Sequence, residues 1–548
     1  MKCDKQFFDD VAYERSDVAL EETEKSFRRI STCRELSSLM ERYLGNRSNL
    51  RRRLIKGSYN VIYKFTVEDR GAEGRGEEII LRIPFPGVVQ FPDEKTLMET
   101  ATMLYVSEKT SIPTPPVYYY GLSIENPTGI GPFIIMGYVE NDGAFSQALD
   151  DPEHLGKDGP PALDPNVPEE KLEFLYGQMA GYLLQLSKLK FPRIGSLLPS
   201  SNGHGLPSVE GRPISLNMNS LIQLANVPPI VLPAKGKTYI TADEWYLALA
   251  EMQMAHLVFQ HNDLTYSDYD CRNKYVARQL FRRLAKEGKL STFGFADDDW
   301  SAQSSRFSSN PDSSTNRGPG LSSAPDTRGP FHLWCDDLRG GNILVDKDLR
   351  VAALIDWEFA YVGPAQFALD PPWWLLLEEP ECWPGGIQEW SKIYDQRLET
   401  WLRCVEMAEE EEAERAKPSG GTEEMVRRSE QMALEDEGVG SGRRELVRLS
   451  TSMRESWQTG RFWLNYAARK SWAFDSIYWK VLDERFFGDR GDIPEYIWWQ
   501  TRLDLLTDEE RQAMDPFVER KMKEYKAGRI LVDWDPEEAK EVLAQVLV

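Results

Sequence analysis

Asp337, Asn342 and Asp356 stand in the stretch CDDLRGGNILVDKDLRVAALIDWEF, which runs from Cys335 to Phe359. The residue types and their order supply an acceptor for a hydroxyl proton and two oxygen ligands for a divalent cation. Phosphoryl transfer asks a protein for little more than these, because its catalysis is mostly positioning and charge stabilisation. Spacing chooses between the two adjacent aspartates. Only Asp337 has Leu338 beside it and an Asn five residues later; Asp336, one position off, is expected to face away.

Chemistry at these positions needs elements that bring them together. NILVD and VAALID are short apolar runs joined by the polar KDLR, so they read as a β-hairpin with all three residues at one end. Upstream, NVIYKFTV (Asn60–Val67) and EIILRI (Glu78–Ile83) are β-rich runs flanking the polar, Gly-bearing EDRGAEGRGEE, the pattern of two antiparallel strands. From Glu94 to about Lys109, Leu97, Ala101 and Leu104 recur at i, i+4 and i+7, which predicts an amphipathic helix. VYYYGLSI and GPFIIMGYVE then give two further strands, so the order is strand, strand, helix, strand, strand.

The remainder is mostly helical. EEKLEFLYGQMAGYLLQLSKL (Glu169–Leu189) is amphipathic, and a second helix opens at Thr241 with Glu244 three residues on, a capping-box pattern. Residues 1–50 are charged, helical in places, and carry no recognisable chemistry. Residues 301–330 are rich in Ser, Pro, Gly and Asn, with almost no aliphatic content, and are expected to be a disordered insertion. An acidic linker is expected over about 406–444.

The chain has 548 residues, of which 41% are hydrophobic, with 16 Trp, 22 Tyr and 23 Phe, enough for a large core. A formal net charge of −23 argues against a nucleic-acid partner, which requires a basic footprint. Six Cys with no C-x-x-C pair give neither a disulfide framework nor a zinc site. No apolar run is long enough to span a membrane, so a cytoplasmic protein without a membrane partner is expected.

The run D-L-R-G-G-N-I-L from Asp337, followed by I-D-W-E to Glu358, resembles the H-G-D-L-H-x-G-N … I-D-W-E motif of the aminoglycoside phosphotransferase (APH) family. More narrowly, it resembles the fungal phosphotransferase-family proteins, from about residue 50 through the C-terminal helices. The resemblance implies an α+β, protein-kinase-like fold of two lobes. Residues 1–50 would form an N-terminal helical extension, 51–136 a small antiparallel-sheet lobe, and 137–548 a larger, mainly helical lobe. ATP and Mg²⁺ would bind between the lobes, and the γ-phosphoryl group would pass to a hydroxyl of a small-molecule acceptor.

Carried over residue by residue, the resemblance makes Asp337 the catalytic base and Asn342 and Asp356 the metal ligands. Arg82 would contact phosphate, oriented by Glu99. Gly57 and Ser58, in KGSYNVIY, would cover the phosphates, and Met136 and Tyr138 would lie in the hinge that meets adenine. The chain departs from the family pattern at three places. Cys335 replaces a His, Arg339 replaces a second His, and the nucleotide loop has a single glycine. These departures leave a competing reading, a catalytically inactive kinase-like protein that binds nucleotide or a partner.

Overall fold

In Asn60–Val67 every second side chain is apolar, and Val61, Tyr63 and Phe65 are fully buried. Alternation with period two sends one face of a strand to the core. The computed structural model, which describes residues 6–46, 48–67, 76–153, 159–200, 205–307, 320–416 and 447–548, makes this strand the second of five. The strands are β1 (Ser48–Lys56), β2 (Asn60–Val67), β3 (Glu77–Pro84), β4 (Val117–Gly121) and β5 (Phe133–Gly137). They form one antiparallel sheet in the order β1-β2-β3-β5-β4. Strand β1 is an addition to the strands expected from the sequence, because its run of arginines lacks an apolar rhythm. Its place at the sheet edge explains the composition, since charge there blocks pairing with another chain.

Helix α1 (Asp10–Phe27) and helix α2 (Ile30–Leu44) precede the sheet and pack on it. Leu36, Leu39 and Met40 of α2, with Phe27 at the end of α1, share a core with Tyr63, Phe65 and Leu81. The start of α1 is fixed to the other lobe. The Asp9 carboxylate accepts from the N–H groups of Val11 and Ala12 at 3.1 and 3.0 Å, and from Asn262 N and Nδ2 at 3.0 and 2.9 Å. Helix α1 is thus a strut between the lobes. Asp9→Ala removes the helix cap and leaves the buried Asn262 N–H without its acceptor, while the Asn262 side chain keeps Ile530, so stability should fall by about 2 kcal/mol, read by chemical denaturation.

Helix α3 (Pro92–Lys109) forms where periodicity placed it, but burial extends beyond the apolar stripe. Leu104 is exposed, whereas Lys95, Thr96, Glu99, Thr100 and Thr102 are buried alongside Met98 and Ala101. The apolar stripe therefore marked only part of the buried surface: Ala101 lies in it, but the helix is buried on its polar side as well. Lys95 and Glu99 are buried on α3 because they pair with charges arriving from other elements, as the site below shows; the Thr96, Thr100 and Thr102 hydroxyls have no hydrogen-bond partner among the described residues.

The larger lobe is built on helices Glu169–Leu186, Ala242–Phe259, Asp268–Lys286, Gly386–Arg415 and Asp508–Ala527, with shorter ones between Leu449 and Phe487. The aromatic load fills it: Trp245, Trp390 and Trp401 are among its fully buried side chains. Thr241 caps the second of these helices, its hydroxyl accepting from Glu244 N at 3.1 Å. The two ends of the polar run 301–330 are ordered. Residues 304–307 are helical, Ser322 is bound by the Glu455 carboxylate, and Ala324 N donates to Asp297 at 2.6 Å. Side-chain carboxylates hold this segment where apolar contacts cannot. Its centre, 308–319, and most of the acidic linker, 417–446, lie outside the described residues. No helix among the described residues is long and apolar enough to cross a membrane.

Candidate active site

The motif hairpin forms as its apolar runs require. Ile343–Val345 pairs antiparallel with Val351–Leu354, Ile343 opposite Leu354. One further bond, from Ile355 N to the Asn342 carbonyl at 2.9 Å, carries the pairing past the strand end and sets Asn342 beside Asp356. The Asn342 amide donates to the Asp337 carbonyl at 2.8 Å and to Asp337 Oδ2 at 3.1 Å. Asn342 thereby fixes Asp337. Asp356 has φ of 61°, a left-handed backbone that costs energy for a residue other than Gly. Strain of that kind persists where the surroundings over-determine it.

Arg82 reaches this end of the hairpin from β3. Its Nη1 contacts Asp356 Oδ1 and lies 3.1 Å from Glu99 Oε1, while Nη2 is 3.2 Å from Glu358 Oε2. A second buried cation, Lys95 of α3, pairs with Glu358, sits 3.4 Å from Glu99 Oε2 and donates to Asn60 Oδ1 at 2.8 Å. Two cations thus face three carboxylates. Burial works against the charge on Arg82, yet Asp356, Glu99 and Glu358 outweigh it and hold the guanidinium protonated. Burial pushes the Glu99 carboxyl up despite Arg82 and Lys95. In Glu358 the same burial penalty loses to Lys95, Arg82 and Asn60, and its carboxyl is held below the usual range.

Asp337 is buried, and that burial raises its carboxyl to about 6, with Arg339 pulling the other way and Glu358 and Asp356 adding to the rise. Arg339 Nε donates to Asp337 Oδ1 at 3.0 Å. Asp336 turns elsewhere: it accepts from Trp334 Nε1 at 2.7 Å and from Leu216 N at 3.2 Å, with Arg469 3.6 Å away. Cys335 pairs in the sheet with Ala360, and burial pushes its thiol well up, which suits a filler and not a nucleophile. In the role of base that the resemblance implies, Asp337 must be unprotonated to accept, so any phosphoryl transfer that it serves should fall as pH drops through about 6. Arg339→Met should move that acid limb upward by about one pH unit, read from the pH profile of turnover.

The family model described as phosphotransferase enzyme family (APH) matches residues 314–409. The match covers well under half of the chain. No curated protein matches it. Among solved structures it is similar to a macrolide 2'-phosphotransferase type I at 15% identity, covering 84% of this chain and 99% of that one, with a TM-score of 0.36. It is also similar to an ethanolamine kinase of Plasmodium vivax at 11% identity, covering 90% and 93%, with a TM-score of 0.35.

Of the remaining expected residues, Gly57, Ser58, Met136 and Tyr138, Ser58 lines the cavity beside Asp337. Gly57 and Ser58 are exposed in a three-residue turn between β1 and β2, closed by Gly57 N donating to the Asn60 carbonyl at 2.9 Å. A Cβ on Gly57 would meet that carbonyl at 3.2 Å, so glycine suits the closeness of the turn. Met136 is buried in β5 opposite Ile80, and Tyr138 N donates to the Glu78 carbonyl at 3.0 Å. With Gly137 N also engaged, by the Pro116 carbonyl, the sheet already uses the donors at this point of the hinge.

Beside Asp337 opens a cavity of about 430 Å³, lined by Ser58, Arg339, Gly340, Trp373 and Glu378 among others. It adjoins a second of about 320 Å³, and the two share Gln6, Ser58, Glu379 and Lys470. Gln6 belongs to the N-terminal segment in which the sequence showed no chemistry; its Nε2 donates to Glu379 at 3.1 Å. Sequence reasoning gave no role to Lys95 or Glu358, and it placed Asn60 in the phosphate-covering loop and not in this ion cluster. Lys95 stands one helical turn before Glu99, a spacing visible in the sequence but on the face that the apolar stripe did not mark.

Two features bear on whether the phosphotransferase residues suit a Mg²⁺-bound nucleotide. The buried Arg82 Nε makes no hydrogen bond among the described residues, and Nη2 meets only the Glu358 carboxylate, as an ion pair at 3.2 Å. No group of three His, Cys, Asp or Glu side chains among the described residues forms a ready-made metal cage. One amide and one carboxylate fit Mg²⁺, which takes few protein ligands when phosphates supply the others. The donor set fits.

Proposed function

We propose that this chain is a kinase that transfers the γ-phosphoryl group of Mg·ATP to a hydroxyl of a small molecule. The observation that carries the reading is the meeting of Arg82, oriented by Glu99, with Asp356 at the end of the hairpin that also holds Asp337 and Asn342. Asn342 and Asp356 would hold the cation, which when bound screens the phosphate charge and draws electron density from the bridging oxygens. Arg82 would offer its unpaired Nε–H to a phosphate oxygen. Asp337 would orient the acceptor hydroxyl and take its proton on a carboxylate oxygen as the phosphoryl group leaves ATP. Arg339 balances that carboxylate before the proton arrives.

The acceptor would enter the cavity beside Asp337. Its far wall carries Glu378, raised to about 7 by burial, with Glu379 next to it. A hydroxyl-bearing molecule with a basic nitrogen matches that wall, since a cation there would draw Glu378 into its charged form. The test is thermal stabilisation by Mg·ATP, followed by phosphoryl transfer to a panel of amino alcohols, amino sugars and neutral sugars. Absence of any Mg²⁺-dependent nucleotide binding at millimolar ATP would sink the kinase reading. The inactive reading rests on Arg339 occupying Asp337 and on the short nucleotide turn; binding without turnover on any acceptor would favour it.

A further inference from the structure

Three segments, β2, α3 and the end of the motif hairpin, converge on the ammonium of Lys95. It pairs with Glu358, donates to Asn60 Oδ1 at 2.8 Å and lies 3.4 Å from Glu99 Oε2, and the residue is 1% exposed. An ammonium has three protons, and three acceptors surround this one, so it has no donor left for a phosphate. Asn60 closes a triangle by donating from Nδ2 to Glu358 Oε2 at 2.7 Å. Each corner leads to part of the nucleotide site. Asn60 follows the Gly57–Tyr59 turn and accepts its closing bond. Glu358 lies two residues beyond Asp356, and Glu99 is the partner of Arg82.

We propose that Lys95 is a positioning residue for the phosphate end of the nucleotide. Its clasp with Asn60 and Glu358 ties the nucleotide turn to the segment carrying Asp356, and it shares Glu358 and Glu99 with Arg82, so that neither carboxylate is balanced by Arg82 alone. The inference rests on the Mg·ATP reading above. The charge count gives it force. With Lys95, two cations face Glu99, Asp356 and Glu358; without it, one guanidinium faces all three. Arg82 would then be held deeper among carboxylates, and an incoming polyphosphate would meet a more negative site. Adenine, on the far side of the cleft, would sense none of this.

Calorimetric titration with Mg·ATP and with adenosine, which has no phosphates, separates these effects. Lys95→Met is expected to weaken Mg·ATP by about ten- to a hundredfold while adenosine stays within about twofold, the size typical of losing a residue that orients ligands. Lys95→Met combined with Glu358→Gln removes both charges of the pair and should recover most of the loss, since the new amide oxygen can still accept from Asn60. Asn60→Ala keeps every charge and cuts only the tie to the turn; it should weaken Mg·ATP severalfold with adenosine unchanged, and it decides the matter should Lys95→Met not fold. A merely structural lysine would lower the melting temperature and weaken both ligands alike. Equal losses, an unchanged Mg·ATP affinity, or no recovery in the double variant would overturn the proposal. Should wild type itself not bind Mg·ATP, the kinase reading falls with it; wild-type binding with an indifferent Lys95→Met sinks the clasp alone.

Discussion

Asp337→Asn should abolish phosphoryl transfer while leaving the nucleotide in place. ATP turnover is expected to fall by about 10³-fold or more, the range lost with a positioned general base, with Mg·ATP affinity within about threefold of wild type. The amide keeps the shape of the carboxylate, so the buried contacts with Asn342 survive in part. What goes is the group that can take a proton, together with the countercharge of Arg339. Released from Asp337, the half-exposed Arg339 side chain can solvate, so the fold should be little affected. Single-turnover assays with tight binding and no transfer would meet the expectation. Residual transfer within about tenfold of wild type would mean that the acceptor hydroxyl does not need Asp337, and the roles drawn here would have to be reassigned.

How much of this the sequence revealed depends on the range of the contacts. The hairpin was legible because its apolar runs, its polar turn and the five-residue interval from Asp337 to Asn342 are all local. The order strand, strand, helix, strand, strand followed from signals of the same short range, whereas the two lobes came only from the resemblance. Long-range pairing is another matter. Arg82 and Asp356 are 274 residues apart, and only a resemblance to a family could put them in one sentence before the fold was seen. Lys95 was overlooked for a physical reason: a hydrophobic stripe marks a buried face when burial is apolar. On α3 the buried face carries charge, so Leu104 faces solvent while Lys95 does not. Gln6 escaped notice because nothing in a charged N-terminal stretch says that it returns to line a cavity in the other lobe.

Asp356→Asn tests the charge logic from the opposite direction. The buried cluster holds Arg82 and Lys95 against Glu99, Glu358 and Asp356, one carboxylate in excess. Removing that excess leaves two pairs, Arg82 still meeting Glu99 and Glu358, and Asn tolerates the left-handed backbone at this position as well as Asp does. The ligand-free variant should therefore melt no lower than wild type, and higher if the repulsion among the carboxylates outweighs the lost contact to Arg82. Function should move the other way. Without its charged oxygen ligand the site should lose Mg²⁺-dependent nucleotide stabilisation, and turnover should drop by about 10³-fold, several kcal/mol of charge stabilisation at the metal. A melting scan of both proteins with and without Mg·ATP reads both signs at once. A stable variant blind to Mg²⁺ would mark Asp356 as a residue kept for the cation at a cost to the fold. A destabilised variant that still responds to Mg²⁺ would make Asp356 a structural partner of Arg82 and place the metal elsewhere.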